Sequence, residues 1–431
     1  MTACQSLDRI EAIFDDERAA ANAGLLLPAT LAAHLGLEDA ANRFVSLAGS
    51  AGFAPGRKVM TLVHSMLAGG DCIDDVDVLR AGRTEAVLGH RVMAPSTCGT
   101  FLRSFTFGHV RQLDAWSEFA LTAAWAAGAG PGDAPMTIDI DSTICEAYGY
   151  KKQGVGFGYT KRRGYHPLLA VRADTGEVLH FRFRKGSANT GRGAGRFVRE
   201  VIGRVRRAGA TGSLHLRADA GFYSRHVIAA CRAHGVSYSI TVRHTKPVKA
   251  AIATIAESDW QPIDYTLGGD ADVAERPWGD RHRLVVRRTR IIGAEPELFD
   301  NWRYHAFITD VTTSTVDADT DHRAHAVVEL AIRDLKEGAG LNHSPSGRFG
   351  ANSAWAVLAT VAHNMLRWIH HIGHHGEGLV VAKTMRRKLL SFGGRSTRGG
   401  RHRQLHFPAR WPWRNEFMII LTRLRAIPLR C

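Results

Sequence analysis

Between Met136 and Arg243 the apolar residues change period in one order, and that order limits the fold more than any other feature of the chain. Met136 to Ile144 (MTIDIDSTI) alternates as a strand does, and a polar, Gly-rich stretch follows to Gly164. His166–Arg172 and Glu177–Arg184 read as two strands joined by the hairpin turn Ala173-Asp174-Thr175-Gly176. Phe197–Arg207 has helical spacing. Ser213–Ala218 is a short strand ending at Asp219, Ser224–His234 a helix closed by Gly235, and Ser237–Arg243 a fifth strand. A hairpin followed by alternating helices and strands predicts an α/β domain, a mixed sheet with helices on its faces.

The flanking segments read differently. Residues 1–130 are predicted to be mostly helical. Leu25–Val45 carries apolar residues at helical spacing, with Pro28 suited to a helix start and a break at Leu35-Gly36-Leu37. The break is like the turn of a helix-turn-helix, which any small helical bundle also contains. Ala127–Pro135 (AGAGPGDAP) is the clearest boundary. Thr245–Asp321 is irregular and β-rich, with Trp260, Trp278 and Trp302. Asp321–Glu337 is predicted to be one amphipathic helix and Ala351–His371 a second, mostly apolar one. Lys383–Arg414 is dense in Arg, Gly and Pro. The expected division is 1–130 helical, 136–244 with 322–382 as the α/β unit, 245–321 as a β-rich insertion, and 383–431 as a basic C-terminal region.

Charge suggests the partner. Lys and Arg number 56 against 41 acids, a net charge of +15, and 46 of the 56 are Arg. Arg grips phosphate as a planar fork, so a polyanion, foremost nucleic acid, is expected. No apolar run is long enough for a membrane span, and the N-terminus lacks a signal-peptide pattern, so a cytoplasmic chain is expected. The cysteines at 4, 72, 98, 145, 231 and 431 form no C-x-x-C pair. His370, His371, His374 and His375, with Glu377, could hold a metal but read more simply as a solvated helix end. Asp71, Asp74, Asp75 and Asp77 read as helix-start capping rather than a cation site.

Three carboxylates stand out by position. Asp141 lies on the first strand, with Asp139 two residues earlier on the same face. Asp219 closes the fourth strand. Glu329 lies within the predicted helix 321–337. At 100° per residue, His322, His325, Glu329, Arg333 and Lys336 fall in one sector of roughly 80°. Val328, Ala331 and Leu335 form the opposite side. Two Asp and one Glu can supply the oxygen ligands that hard divalent cations need at a phosphodiester. The simpler alternatives are turn-forming Asp residues and an i, i+4 bridge from Glu329 to Arg333.

TIDIDST, LRADAGFYS and HAVVELAIRDLKEG together resemble the DDE transposases of bacterial insertion sequences. The nearest group is the cut-and-paste one marked by Tyr-x2-Arg-x3-Glu-x6-Lys. The resemblance covers about 136–371 and extends to the helical N-terminal part. It selects Asp141 over Asp139, matches Asp219 through Gly221-Phe222-Tyr223, and matches Glu329 through Lys336. His322 and His325 stand where the pattern has Tyr and Arg. The resemblance implies an RNase H-like catalytic domain with Asp141, Asp219 and Glu329 as catalytic metal ligands. The cofactor would be two Mg²⁺ ions, for which Mn²⁺ can substitute. It implies cleavage at transposon ends and transfer of the 3′-OH into target DNA. The partners would be double-stranded DNA, both inverted-repeat ends and target, with a homodimer in the synaptic complex and no membrane. The chain would be bacterial and nucleoid-associated, with 1–130 binding the transposon end. His322, His325, Arg333 and Lys336 would contact DNA, and Trp260 or Trp278 could stack a base. Two other readings share these residues: a metal-dependent nuclease that cuts without joining, and a catalytically silent DNA-binding relative.

Overall fold

The computed structural model describes residues 10–149, 151–158, 161–265, 269–279, 281–290, 302–374, 379–400 and 402–430. Its centre is a mixed sheet. The first five strands are β1 (Met136–Ser142), β2 (Leu168–Arg172), β3 (Val178–Arg182), β4 (Leu214–Ala218) and β5 (Ser237–Thr241). Four more follow: β6 (Gln261–Pro262), β7 (Ala271–Trp278), β8 (His282–Arg290) and β9 (Trp302–Thr309). They lie in the order β6-β7-β8-β9-β5-β4-β1-β2-β3. β1 runs parallel to β4, and β4 to β5, while β2 and β3 are antiparallel to their neighbours. This is the RNase H-like arrangement expected, with the strand and helix order read from the periodicity. Parallel neighbours need crossovers, and α5 (Ala194–Ala208) and α6 (Arg225–Ala233) supply them.

The β-rich insertion extends this sheet instead of folding apart from it. β9 pairs antiparallel with β5, Phe307 opposite Thr241 and Thr309 opposite Ser239. The insertion therefore continues the layer that carries the site.

The N-terminal helices include α1 (Leu26–His34), α2 (Leu37–Phe44), α3 (Pro55–Ala68) and α4 (Phe107–Ala124). The predicted break falls at Gly36, whose φ is 66°. Beside a small separate cluster of Val285, Phe307 and Ala318, one large apolar core runs through these helices and the sheet. The 26-residue α9 (Phe349–His374) forms its axis and packs against α3, α4 and β3. Residues 351–369 are all buried, so a helix apolar on all sides is satisfied by protein around it. No helix among the described residues is long and apolar enough to cross a membrane.

The basic C-terminal region is built into this core. Gly394–Gly399 and His402–His406 form a hairpin whose first strand pairs with Ala19–Ala20. α10 (Arg414–Arg425) packs on α9, where a Cβ on Gly373 would sit 2.7 Å from Ile420 Cγ1. Only glycine allows that approach.

The segment around Glu329 departs from the sequence reading. It is not one helix but α7 (Thr315–Arg323), a 3-10 turn at Ala324–Ala326, and α8 (Val327–Gly338). Three residues at 120° instead of 100° rotate everything before the turn by roughly 60° relative to Glu329.

Candidate active site

Because β1 and β4 are adjacent and parallel, their C-terminal ends reach one edge of the sheet. On the lower rung Asp139 faces Arg217 across the ladder. Arg217 donates from Nε to Asp139 Oδ1 at 2.7 Å and from Nη2 to Oδ2 at 2.9 Å. The two side chains are 0% and 4% exposed. His325 Nδ1 lies 3.0 Å from Asp139 Oδ1, and Arg217 Nη1 donates to the Asp321 carbonyl at 2.6 Å. The buried pair therefore fastens the segment leading to α8 onto β1 and β4.

Two residues further along each strand stand Asp141 and Asp219. Asp141 Oδ1 accepts from the Ser142 N–H at 2.6 Å, and Asp219 Oδ1 from the Gly221 N–H at 3.0 Å. Ser142 Oγ lies 3.0 Å from His166 Nε2, while His166 Nδ1 donates to the Ala188 carbonyl. That bond leaves Nε2 to accept from Ser142 and fixes the turn beside Asp141.

α8 brings the third carboxylate. Its Asp334 accepts from buried Arg367 of α9 at 2.9 Å and from the Ala382 N–H at 2.9 Å. With that side locked, Glu329 faces out. Asp141, Asp219 and Glu329 line one cleft of about 670 Å³, together with His325, Arg333 and Lys336. None of the three acids makes an ion pair with a described residue, and the Glu329–Arg333 bridge is not formed. Burial, with the charges of Asp219 and Glu329, pushes Asp141 up to about 6, against the Ser142 N–H and His325. Arg333 is exposed and makes no ion pair among the described residues. Lys336 Nζ donates to the Ile144 carbonyl at 2.9 Å.

The donor set suits a hard divalent cation: three carboxylates, uncompensated by any bound cationic side chain. They are not gathered into a single-ion cage. The one group of described residues whose ligand atoms all lie within 4.8 Å is Asp71, Cys72 and Asp75. There Asp75 Oδ2 accepts from the N–H groups of Asp71 and Cys72, so it ties the turn before the helix Val76–Arg80 and does not cap that helix as expected.

Several expected residues lie elsewhere. His322 is 4% exposed, with Nδ1 2.9 Å from Ser239 Oγ, Nε2 2.9 Å from Thr241 Oγ1, and its ring stacked on Phe307. Both nitrogens are used and burial holds its pKa well below 6.5, so it is an interior group that does not line the cleft. The reason is where α7 packs: it lies against β7 and β8 of the insertion, which sets His322 over β5 and β9 and not in the cleft. Trp260 and Trp302 hold the Arg288 guanidinium between them, at 4.4 and 4.3 Å from the ring centroids. Trp278 packs partly buried against the core. Neither Trp260 nor Trp278 lines the cleft. His374 Nε2 lies 3.0 Å from Glu416 Oε1, with His370 between His371 and His374. His375 and Glu377 lie outside the described residues. The residues that sequence reasoning missed are Arg217 and Asp321. The signal was the position of Arg217, two before Asp219, as Asp139 is two before Asp141.

An RNase H-like sheet with unpaired acids at adjacent strand ends and on a packed helix defines a class of enzyme built for phosphodiester chemistry. Residues 3–429 match the family model described as transposase DDE domain group 1, and the chain belongs to that family. It is a transposase, of a family of DNA cleavage and strand-transfer enzymes that generally use a divalent metal. Among solved structures it is similar to the piggyBac transposase synaptic complex with hairpin DNA. The TM-score is 0.47 at 12% identity, over 85% of this chain and 78% of that one. No curated protein matches it.

Proposed function

We propose that Asp141, Asp219 and Glu329 are the catalytic metal ligands of this transposase and that two Mg²⁺ ions, replaceable by Mn²⁺, are the cofactor. The observation that carries this reading is the convergence of the three unpaired carboxylates in one cleft. When bound, the cations supply charge neutralisation at the phosphodiester and a lowered pKa for the attacking water or 3′-OH. The chain's own residues do the rest. Arg333, exposed and in no ion pair with a described residue, holds a phosphate oxygen beside the scissile bond, and Lys336 braces the same wall. His325, on the cleft lip, is oriented by Asp139. Double-stranded DNA is the substrate: inverted-repeat ends are cut and the freed 3′-OH joined to target. The N-terminal helices contact the end, and two copies of the chain pair two ends. Net charge of +15 favours such a partner.

The test is cleavage and joining of end DNA by the full chain with Mg²⁺. Asp219→Asn and Glu329→Gln, each removing one ligand charge at nearly constant shape, are expected to lose both activities and keep DNA binding. Cleavage without joining of a supplied 3′-OH would favour the nuclease reading. Wild-type protein that binds ends yet cuts none would favour the silent one.

A further inference from the structure

A second pocket, of about 880 Å³, lies outside the carboxylate cleft, between the start of α4, the edge strand β3 and the start of α9. Phe183 and Phe349 line it, their ring centroids 5.4 Å apart, and Phe107, 79% exposed, stands at its lip. Arg111, Arg182, Arg192 and Arg196 line it too, as does the acid Asp114. Arg111 is paired with Asp114 at 2.9 Å and Arg196 with Glu200 at 3.0 Å. Arg192 is exposed and makes no ion pair with a described residue. An aromatic interior inside a cationic rim suits a ligand that is both flat-faced and anionic. A duplex offers its phosphates but keeps its base faces stacked, so only an unpaired nucleotide satisfies both.

One short loop lies beside both the cleft and the pocket. Thr190 Oγ1 lies 3.3 Å from Ser142 Oγ, and Ser142 lines the carboxylate cleft. Arg192, two residues on, lines the second pocket, so at most about 7 Å of backbone separates the two positions. Arg184 holds that loop by donating to the carbonyls of Asn189 and Arg192 at 3.0 and 3.1 Å.

We infer that this pocket receives an unpaired nucleotide of the DNA strand that runs through the cleft, its base on Phe107 and Phe349 and its phosphate on Arg192. The inference rests on the proposed DNA-cutting function. The experiment separates the two. The full chain is titrated by fluorescence anisotropy, without divalent metal, against a blunt duplex and the same duplex carrying a short single-stranded thymine gap. Wild type is expected to prefer the gapped probe. Phe107→Ala and Arg192→Ala are each expected to weaken gapped binding roughly tenfold and leave blunt binding unchanged, with Phe107→Trp restoring it. Phe107 is too exposed for its loss to unfold the chain. Iodouracil placed in the gap is expected to cross-link to the peptide holding Phe107 or Phe349. Gapped binding unchanged in both variants overturns the inference, as does an equal loss of blunt binding or a cross-link mapping elsewhere. Failure of wild type to bind either probe overturns the functional reading itself.

Discussion

Two aspartates two residues apart on one strand are expected to give stability changes of opposite sign. Asp139 is fully buried against Arg217 in a fork of 2.7 and 2.9 Å. Asp139→Asn leaves the guanidinium in the interior without its counter-charge, a loss of about 3–5 kcal/mol. Asp141 sits instead beside Asp219 and Glu329 and is pushed from 3.8 to about 6. Each tenfold is about 1.4 kcal/mol, so the ionised native state is penalised by about 2–3 kcal/mol. The sign follows from proton linkage. The folded carboxyl has the raised value, so its contribution is whole below about pH 4 and is lost as pH climbs through about 6. Asp141→Asn removes that titration. At pH 7 without divalent metal the variant is expected to be about 2–3 kcal/mol more stable than wild type, with the gap closing towards pH 4. Urea unfolding followed by circular dichroism, in EDTA, measures both. Mg²⁺ is expected to raise the wild-type midpoint and leave that of Asp141→Asn unchanged. A destabilised Asp141→Asn, or an Asp139→Asn as stable as wild type, would refute the assignment of one rung as lock and the next as site.

Other consequences are equally direct. Arg367→Met leaves Asp334 uncompensated in the interior, and a stability loss of about 3–5 kcal/mol is expected in denaturant melts, with cleavage reduced beyond what unfolding explains because α8 carries Glu329. Ile420→Ala opens a cavity against Gly373 and is expected to cost about 2–5 kcal/mol; a cost near zero would mean that the C-terminal helix is not part of the core. Affinity for end DNA is expected to fall by orders of magnitude between about 50 and 200 mM salt, and Arg333→Ala to lower the slope of log affinity against log salt by about one. A slope unmoved by that substitution would exclude a phosphate contact.

The fold was legible where each element carries its own period. MTIDIDSTI alternates, the turn at Ala173–Gly176 punctuates the hairpin, and the helices 194–208 and 225–233 show their apolar faces locally. What could not be read is long-range. The pairing of β9 with β5 joins residues some way apart in the chain, and no local pattern records it. The break at Ala324–Ala326 is similar. Ala-His-Ala contains neither Gly nor Pro, so propensity favours one continuous helix. The tertiary contacts override it: Arg217 takes the Asp321 carbonyl, which also accepts the Ala324 N–H, and Asp139 takes His325. His322 lies on the helix before that break and packs into the interior over β5, not on the expected DNA face.

The same contacts explain why the acids of the cleft stay unneutralised in a chain with 46 arginines. Arg217 stands one strand-repeat from Asp219 and would be the natural partner for any of the three. Its donors are spent: Nε and Nη2 on Asp139, Nη1 on Asp321. Arg367 and Asp334 absorb one another on the buried side of α8. The cations near the site are thus consumed by structural acids, as Arg217 and Arg367 are, tied to a backbone carbonyl, as Lys336 is, or held at the lip, as Arg333 is. Motif spacing could mark Asp141, Asp219 and Glu329 as candidates. It could not distinguish an acid that closes a salt bridge from one kept open, because that depends on where the neighbouring guanidinium is already committed. Asp139 and Asp141 look alike in the sequence, yet one is buried in a salt bridge and the other lines the cleft without one.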